Sequence, residues 1–221
     1  MPARARAPRE FADLPYAHRL EPFTGELGRE EDCESVHFED CDFTDVEGGS
    51  SRFIESAFSS VTFTGGRYRR TRFNDVWMHN VRWIGTDLAE TGWLDCEING
   101  SLLAGLQIFG SQLRRVTFHH CKFDSANFRQ AKLHDVSFVG CLLRDADFTG
   151  AAMTDVTFIG STLDRVHFQN ADMKRVDLRG AEALGIASGF DALRGATITQ
   201  LQLLELAPAL AQVLGLTVKD S

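Results

Sequence analysis

The sequence has no proline between Val36 and Gly180, and all five prolines lie outside that stretch. Proline cannot donate a backbone hydrogen bond, so its absence permits unbroken backbone ladders through the middle of the chain. The sequence also lacks an apolar run long enough for a membrane span or for the core of a signal peptide. We therefore expect a cytoplasmic protein that does not enter a membrane.

Motifs of catalytic and metal sites are also missing. The sequence has no CxxC pair, no glycine-rich phosphate loop, and no Ser, His and Asp that the repeat described below would bring together. Four of the five cysteines fall at inward positions of that repeat, where cysteine acts as a small apolar residue. Stacking of Cys121 on Cys141 would allow a disulfide by distance alone, but we expect reduced thiols. We predict no enzymatic activity, no cofactor and no metal.

The stretch from Val36 to Gly180 repeats every five residues without interruption. Its 29 pentets share one register, and the third residue is large and apolar in 28 of them, with Gly48 as the exception. The first residue is small or β-branched in every pentet except the one that begins at Leu106. A fixed period of this kind is the signature of a repeat architecture.

The period predicts a four-sided coil. The first and third residues of a pentet point to one side of a locally extended chain, and the last two make a corner. Nine pentets have glycine at the fifth position, which suits a tight corner. If four pentets close one coil, residues twenty apart stack, so that Phe38, Phe58 and Met78 form one column. About seven coils at a strand spacing of ~4.8 Å make a rod of ~34 Å.

Three runs of sequence resemble the pentapeptide-repeat family: AlaAsnPheArgGln at 126–130, AlaAspPheThrGly at 146–150 and ValAspLeuArgGly at 176–180. The resemblance implies an all-β solenoid, a right-handed quadrilateral β-helix. It is greatest to the uninterrupted, mycobacterial type of the family, which includes a fluoroquinolone-resistance protein and dimerises through a C-terminal helix. Members from Gram-negative bacteria that confer quinolone resistance carry projecting loops, for which this register leaves no room.

Both ends of the chain are predicted to close the solenoid. Residues 1–35 form a tail and cap: Arg4, Arg6 and Arg9 lie in a Pro- and Ala-rich opening expected to be disordered, and the apolar residues of 11–23 fold over the first coil. The acidic run at 30–34 is interpreted as a solvated linker. Residues 36–180 form the β-helix, and residues 181–221 supply a last strand at 196–198 and a C-terminal helical cap.

The C-terminal helix is predicted to begin at Thr199 with a capping box to Gln202, and Pro208 predicts a kink or two short helices. Apolar residues surround this helix, more than covering one coil end requires. We therefore predict a homodimer through the helix, with a monomer cap as the alternative. The candidate residues for the cap or dimer contact are Leu201, Leu204, Leu210 and Leu214.

The remaining candidates for function are outward positions of the coils. Trp77 is predicted to be exposed, as are Ile84, Leu94, Leu102 and Phe109 on other faces. The face that bears Trp77 is poor in cations, whereas the face with Arg72, Arg114 and Lys132 is slightly basic. The candidate partner surface consists of Glu39, Asp40, Trp77, His79, Glu97, His119 and Asp177.

Two functions fit these observations. The first is a rigid, non-catalytic rod that binds an unidentified protein partner, without direct contact to nucleic acid. The second follows from the resemblance: family members that mimic DNA bind DNA gyrase or topoisomerase IV and protect these type II topoisomerases from quinolones. Net charge −8 and a length of ~34 Å are compatible with mimicry, but duplex DNA of that length carries ~20 negative charges.

Overall fold

A computed structural model describes residues 7–219 of the chain. Parallel strands pair at a spacing of twenty residues, as Phe38 pairs with Phe58 and Phe58 with Met78. The strands stack as the four-sided β-solenoid that the pentet period predicts, with about eight turns and one C-terminal helix. Pairing begins earlier than the predicted boundary at Val36, because Asp32–Glu34 pairs with Arg52–Ile54. The acidic run at 30–34 is therefore part of the first coil and not a linker.

The four faces are numbered in the order in which the chain passes through them. Face 1 consists of Asp32–Glu34, Arg52–Ile54, Arg72–Asn74, Gly92–Leu94, the first parts of Gln112–His119, Lys132–Val139 and Ala152–Ile159, and Asp172–Lys174. Face 2 consists of Glu21–Pro22, Val36–Glu39, Ala57–Ser59, Trp77–His79, Glu97–Asn99, the second parts of the same three long strands, Val176–Asp177 and Ala196–Thr197.

Face 3 and face 4 complete each coil. Face 3 consists of Asp42–Thr44, Thr62–Thr64, Arg82–Ile84, Leu102–Ala104, Lys122–Asp124, Leu142–Arg144, Thr162–His167 and Ala183–Ser188. Face 4 is held together by single parallel bridges between residues twenty apart, from Glu47 to His167. Outside the coils lie the 3-10 helices Phe11–Asp13, Ala17–Arg19 and Phe190–Leu193 and the α-helix Gln200–Val213.

Each corner depends on one residue in the left-handed region. Every fifth residue from Glu30 to Arg175 has a positive φ, between 46° and 67°, whether or not it is glycine. Eight of the nine predicted corner glycines share this conformation, and Gly180, where the repeat ends, does not. Asp, Asn and Ser occupy many of the other corners, and short polar side chains of this kind tolerate left-handed backbone.

The third residues of the pentets fill the axis of the solenoid as stacked columns. The Phe63 ring lies 3.8 Å from the Trp83 ring, and the Phe138 ring lies 5.2 Å from Phe118 and 5.0 Å from Phe158. Small first residues leave room for these rings. Their hydroxyls and thiols donate to carbonyls 23 residues earlier, as Ser161 Oγ donates to the Phe138 carbonyl at 3.1 Å. Buried polar groups at this position are therefore satisfied.

The C-terminal helix closes the last coil as one piece. Thr199 and Gln202 form the predicted capping box. The last strand, predicted at 196–198, is Ala196–Thr197 and pairs with Val176–Asp177. The alternative of two short helices is wrong, because Gln200–Val213 continues through Pro208 as one helix. Proline there removes the hydrogen bond to the Leu204 carbonyl. The helix is closed by a Schellman motif, in which Gly215 has a positive φ and Leu216 N donates to the Ala211 carbonyl.

Candidate interaction surfaces

The middle of face 2 is covered by the N-terminal segment. We call residues 9–20 the N-terminal strap, because this segment lies across the outer side of face 2. Leu14 and Tyr16 form a buried cluster with Ala57 and Trp77, and the Phe11 ring lies 5.9 Å from the Trp77 ring. Apolar contact of this kind is the main stabilising term in such an arrangement. The strap thus hides surface that the repeat leaves pointing outward.

One arginine fixes the start of the strap. The Arg9 backbone N–H donates to Glu97 Oε1 at 2.6 Å, and Arg9 Nε donates to Glu97 Oε2 at 2.8 Å. The Arg9 carbonyl accepts from Trp77 Nε1 at 3.0 Å. Glu97 is 8% exposed, and a buried carboxylate is stable only when it is paired and hydrogen-bonded. Arg9 provides both interactions.

Two titratable side chains at the strap have a buried atom without a hydrogen-bond partner among the described residues. His119 is 2% exposed, and its Nδ1 atom has no hydrogen bond there. Burial lowers the pKa of His119, while the nearby Glu97 opposes that shift. The Tyr16 hydroxyl is also buried without a partner, and burial raises its pKa. Burial thus favours the uncharged form of both groups.

The structure separates the residues of the predicted partner surface. Trp77, Glu97 and His119 lie together, but the prediction that Trp77 is exposed is wrong, since it is 3% exposed beneath the strap. His79 is exposed beside Trp77. Glu39 and Asp40 are exposed at the first coil, and the half-buried Asp177 lies seven coil steps away, or ~34 Å. Ile84, Leu94, Leu102 and Phe109 are half-buried.

The structure corrects two predictions about residues 9–23. Of the apolar residues of 11–23 that are predicted to fold over the first coil, only Phe23 caps its core, with its ring 4.5 Å from the Phe38 ring. The prediction that Arg9 is disordered is wrong, because Arg9 is hydrogen-bonded to Glu97. Arg4 and Arg6 lie outside the described residues. The sequence does contain one indication of the strap. Ala57 and Trp77 are neighbours in an outward-facing column of face 2, and two apolar residues at such positions indicate that another part of the chain covers this face.

Ion pairs between neighbouring coils cancel part of the charge on the solenoid surface. Arg115 pairs with Asp95 at 2.5 Å, and its guanidinium holds the pKa of that carboxyl below the usual range. The same i, i+20 arrangement joins Arg165 to Asp145 and Arg175 to Asp155, with the same effect on the pKa of each carboxyl. Exposed pairs contribute little stability, but they cancel charge.

The negative charge is concentrated at the first coil. Residues 26–47 contain ten acidic residues against the single base Arg29, a net charge of −9, whereas the whole chain carries −8. The rest of the chain is therefore close to neutral. Glu26, Glu34, Glu39 and Asp42 in this coil are exposed and make no ion pair within residues 7–219. We call residues 26–47 the acidic end.

The C-terminal helix presents the exposed large hydrophobic side chains. Gln202 and Leu206 are its buried residues, and Gln202 Nε2 donates to the Leu178 carbonyl at 2.8 Å, which attaches the helix to the last coil. The large apolar residues that are exposed within residues 7–219 all follow Thr199: Leu201, Leu203, Leu204, Val213, Leu214, Leu216 and Val218. Of the four predicted contact residues, Leu210 is half-buried and the other three are exposed.

Residues 7–219 contain neither a metal-binding cluster nor a membrane-spanning helix. No cluster of three or more His, Cys, Asp or Glu side chains there has the geometry to hold a metal ion. No helix in that range is long and apolar enough to cross a membrane.

Comparisons with known proteins agree with the fold. Residues 111–187 match the family model for a pentapeptide repeat region. A trypsin-treated variant of QnrB1, a plasmid-mediated fluoroquinolone resistance protein, aligns over 90% of this chain and 96% of its own, with a TM-score of 0.57 and 14% identity. HetL from Nostoc sp. strain PCC 7120 aligns over 77% of this chain and 90% of its own, with a TM-score of 0.27 and 14% identity. No curated protein matches the chain significantly.

Proposed function

We propose that this chain, which is a pentapeptide-repeat protein, acts as a rigid, non-catalytic protein-interaction rod in the cytoplasm. The stacked coils supply a stiff body, because each coil is bonded to its neighbours along the backbone. Function then depends on the surfaces that the coils and the C-terminal helix present. The partner is a protein, and the rod reaches it as a homodimer.

One observation carries the proposal: the exposed large hydrophobic residues lie on and after the C-terminal helix and not on the coils. Contiguous exposed apolar surface marks protein–protein contact sites. Leu201 and Leu204 lie one helical turn apart, on a face that the last coil leaves uncovered. A second copy of the helix, related by a two-fold axis, would bury these leucines on both sides.

A double substitution tests the dimer. In the protein with Leu201→Glu and Leu204→Glu, we expect sedimentation velocity to show a monomer where the wild type is a dimer. Each buried leucine contributes about 1.5–3 kcal/mol, so the dimer should weaken by at least roughly a hundredfold. Gln212→Glu, at an exposed polar position of the same helix, is the matched control and should leave the dimer intact. A wild-type protein that is monomeric at high micromolar concentration would contradict the proposal.

A second candidate function is binding to a type II topoisomerase in the manner of DNA, and the acidic end favours it. The structural relative QnrB1 is a fluoroquinolone resistance protein, and the family resemblance links such proteins to gyrase. Along the coils, ion pairs leave no continuous acidic face, but the acidic end concentrates net −9 within about one coil. A strongly acidic surface of this kind attracts the basic DNA-binding groove of an enzyme.

Charge reversal at the acidic end tests the second candidate. Glu97 and Asp177 are unsuitable, because Glu97 is buried against Arg9 and Asp177 is paired with Arg179. In Glu39→Lys with Asp42→Lys, we expect the concentration that alters gyrase supercoiling to rise roughly tenfold.

The control for that experiment carries the same change of charge elsewhere. Asp124→Lys with Glu182→Lys alters two exposed acids, one on a strand of face 3 and one directly before its last strand, and should act like the wild type. If the wild-type protein does not alter supercoiling by gyrase, this candidate is excluded. The protein-interaction rod would then bind a partner other than gyrase.

A further inference from the structure

Face 1 carries a cleft lined by arginines that take no part in the ion pairs between coils. The cleft has a volume of about 550 Å3, and Arg70, Arg72 and Arg114 are among its lining residues. Most arginines on the coils pair with an aspartate or glutamate, but these three form no ion pair within residues 7–219. We call this site the arginine cleft.

A missing side chain creates the cleft. Gly92 occupies the outward column of face 1 between Arg72 and Gln112, which pair with it on the neighbouring coils. Long side chains fill this column above and below, so the glycine leaves a notch. A Cβ atom at Gly92 would meet only Arg72 Cγ, at 3.9 Å. The fold therefore does not require glycine at this position, and the notch is available to a ligand.

The charges around the notch match a dianion. Three arginines and one acidic residue, Glu90, line the cleft, which gives the lining a charge of +2 on a protein of net −8. Guanidinium groups bind phosphate oxygens through two parallel hydrogen bonds. A phosphate monoester carries close to two negative charges at neutral pH, so it fits this charge balance.

The volume of the cleft exceeds what inorganic phosphate needs. Small-molecule sites typically have ~300–1,000 Å3, and the cleft lies inside that range. Asn74 and Gln112 add amide donors and acceptors to the lining, and Leu94 adds an apolar contact. These groups suit a polar organic moiety attached to the phosphate. We propose that the arginine cleft binds a phosphate monoester of a small polar molecule such as a sugar, a role separate from the rod function above.

Titration calorimetry at constant ionic strength tests the proposal with glucose 6-phosphate as the probe. We expect saturable binding of glucose 6-phosphate, weaker binding of inorganic phosphate and none of glucose. Arg72→Gln and Arg114→Gln should each weaken binding of glucose 6-phosphate roughly tenfold or more, because each removes a charged hydrogen-bond donor. Gly92→Gln should abolish it by filling the notch with the side chain that the next coil carries.

The control is Arg82→Gln, which removes an arginine that is likewise exposed and has no ion pair within residues 7–219, but lies on face 3. It changes net charge by the same amount and should leave binding unchanged. If Arg82→Gln and Arg72→Gln weaken binding of glucose 6-phosphate equally, binding is nonspecific attraction by positive charge, and the proposal is overturned. Unchanged binding in a folded Gly92→Gln protein, the absence of saturable binding, or tighter binding of succinate than of either phosphate would overturn it as well.

Discussion

Replacement of Phe138 by alanine should lower the free energy of unfolding by about 3–5 kcal/mol. The Phe138 ring is fully buried, stacked between Phe118 and Phe158 in the column of face 2. It also meets the edges of the Phe123 and Phe148 rings at 5.7 and 6.3 Å. Parallel strands fix each coil from above and below, so the solenoid cannot collapse into the cavity that alanine leaves. Chemical denaturation followed by far-UV circular dichroism measures the change.

Two further variants identify the cause of that loss. Phe138→Leu should cost much less, because leucine fills the same third position at Leu143 and Leu163 and keeps most of the volume. Lys132→Ala, at an exposed position of the same long strand, should change stability by less than about 0.5 kcal/mol. A loss below about 1 kcal/mol in Phe138→Ala would mean that the columns do not carry the stability of the rod.

The fold could be predicted from the sequence because one residue in every five, the third of each pentet, fills the axis of the solenoid. Every third-position side chain meets the residue twenty places away, so columns such as Phe43, Phe63 and Trp83 specify which strands pair. Local pattern and long-range contact therefore carry the same information. Opposite charges twenty residues apart, as in Asp145 and Arg165, could have been recognised as pairs by the same rule.

The strap and the arginine cleft could not be predicted in this way. The strap has no period, and the apolar pattern of Phe11, Leu14 and Tyr16 indicates burial without saying against which surface. Only the structure places them beside Trp77. The cleft depends on which arginines lack a carboxylate neighbour and on one glycine, Gly92, that lies between two long side chains of its column. The basic character of face 1 was visible in the sequence, but which of the nearby arginines lack a carboxylate partner was not.

Replacement of Trp77 by alanine should release the strap and leave the solenoid folded. Truncating a buried tryptophan costs about 3–5 kcal/mol, and here the lost contacts are those with Phe11, Leu14 and Tyr16, together with the hydrogen bond to the Arg9 carbonyl. The core columns do not include Trp77, so that cost falls on the docking of the strap. We expect cleavage by trypsin after Arg19 to accelerate by about a hundredfold, because cleavage follows the population of the open segment.

The denaturation midpoint of the solenoid separates this result from general unfolding. It should stay nearly unchanged in Trp77→Ala while cleavage after Arg19 accelerates. Trp77→Phe keeps the apolar contact and loses only the hydrogen bond to Arg9, so its cleavage rate should be intermediate. Ile84→Ala shortens a half-buried apolar side chain on face 3, away from the strap, and should leave cleavage at Arg19 at the wild-type rate. If Trp77→Ala is cleaved no faster than Ile84→Ala, the contact of the strap with Trp77 does not hold the strap on face 2.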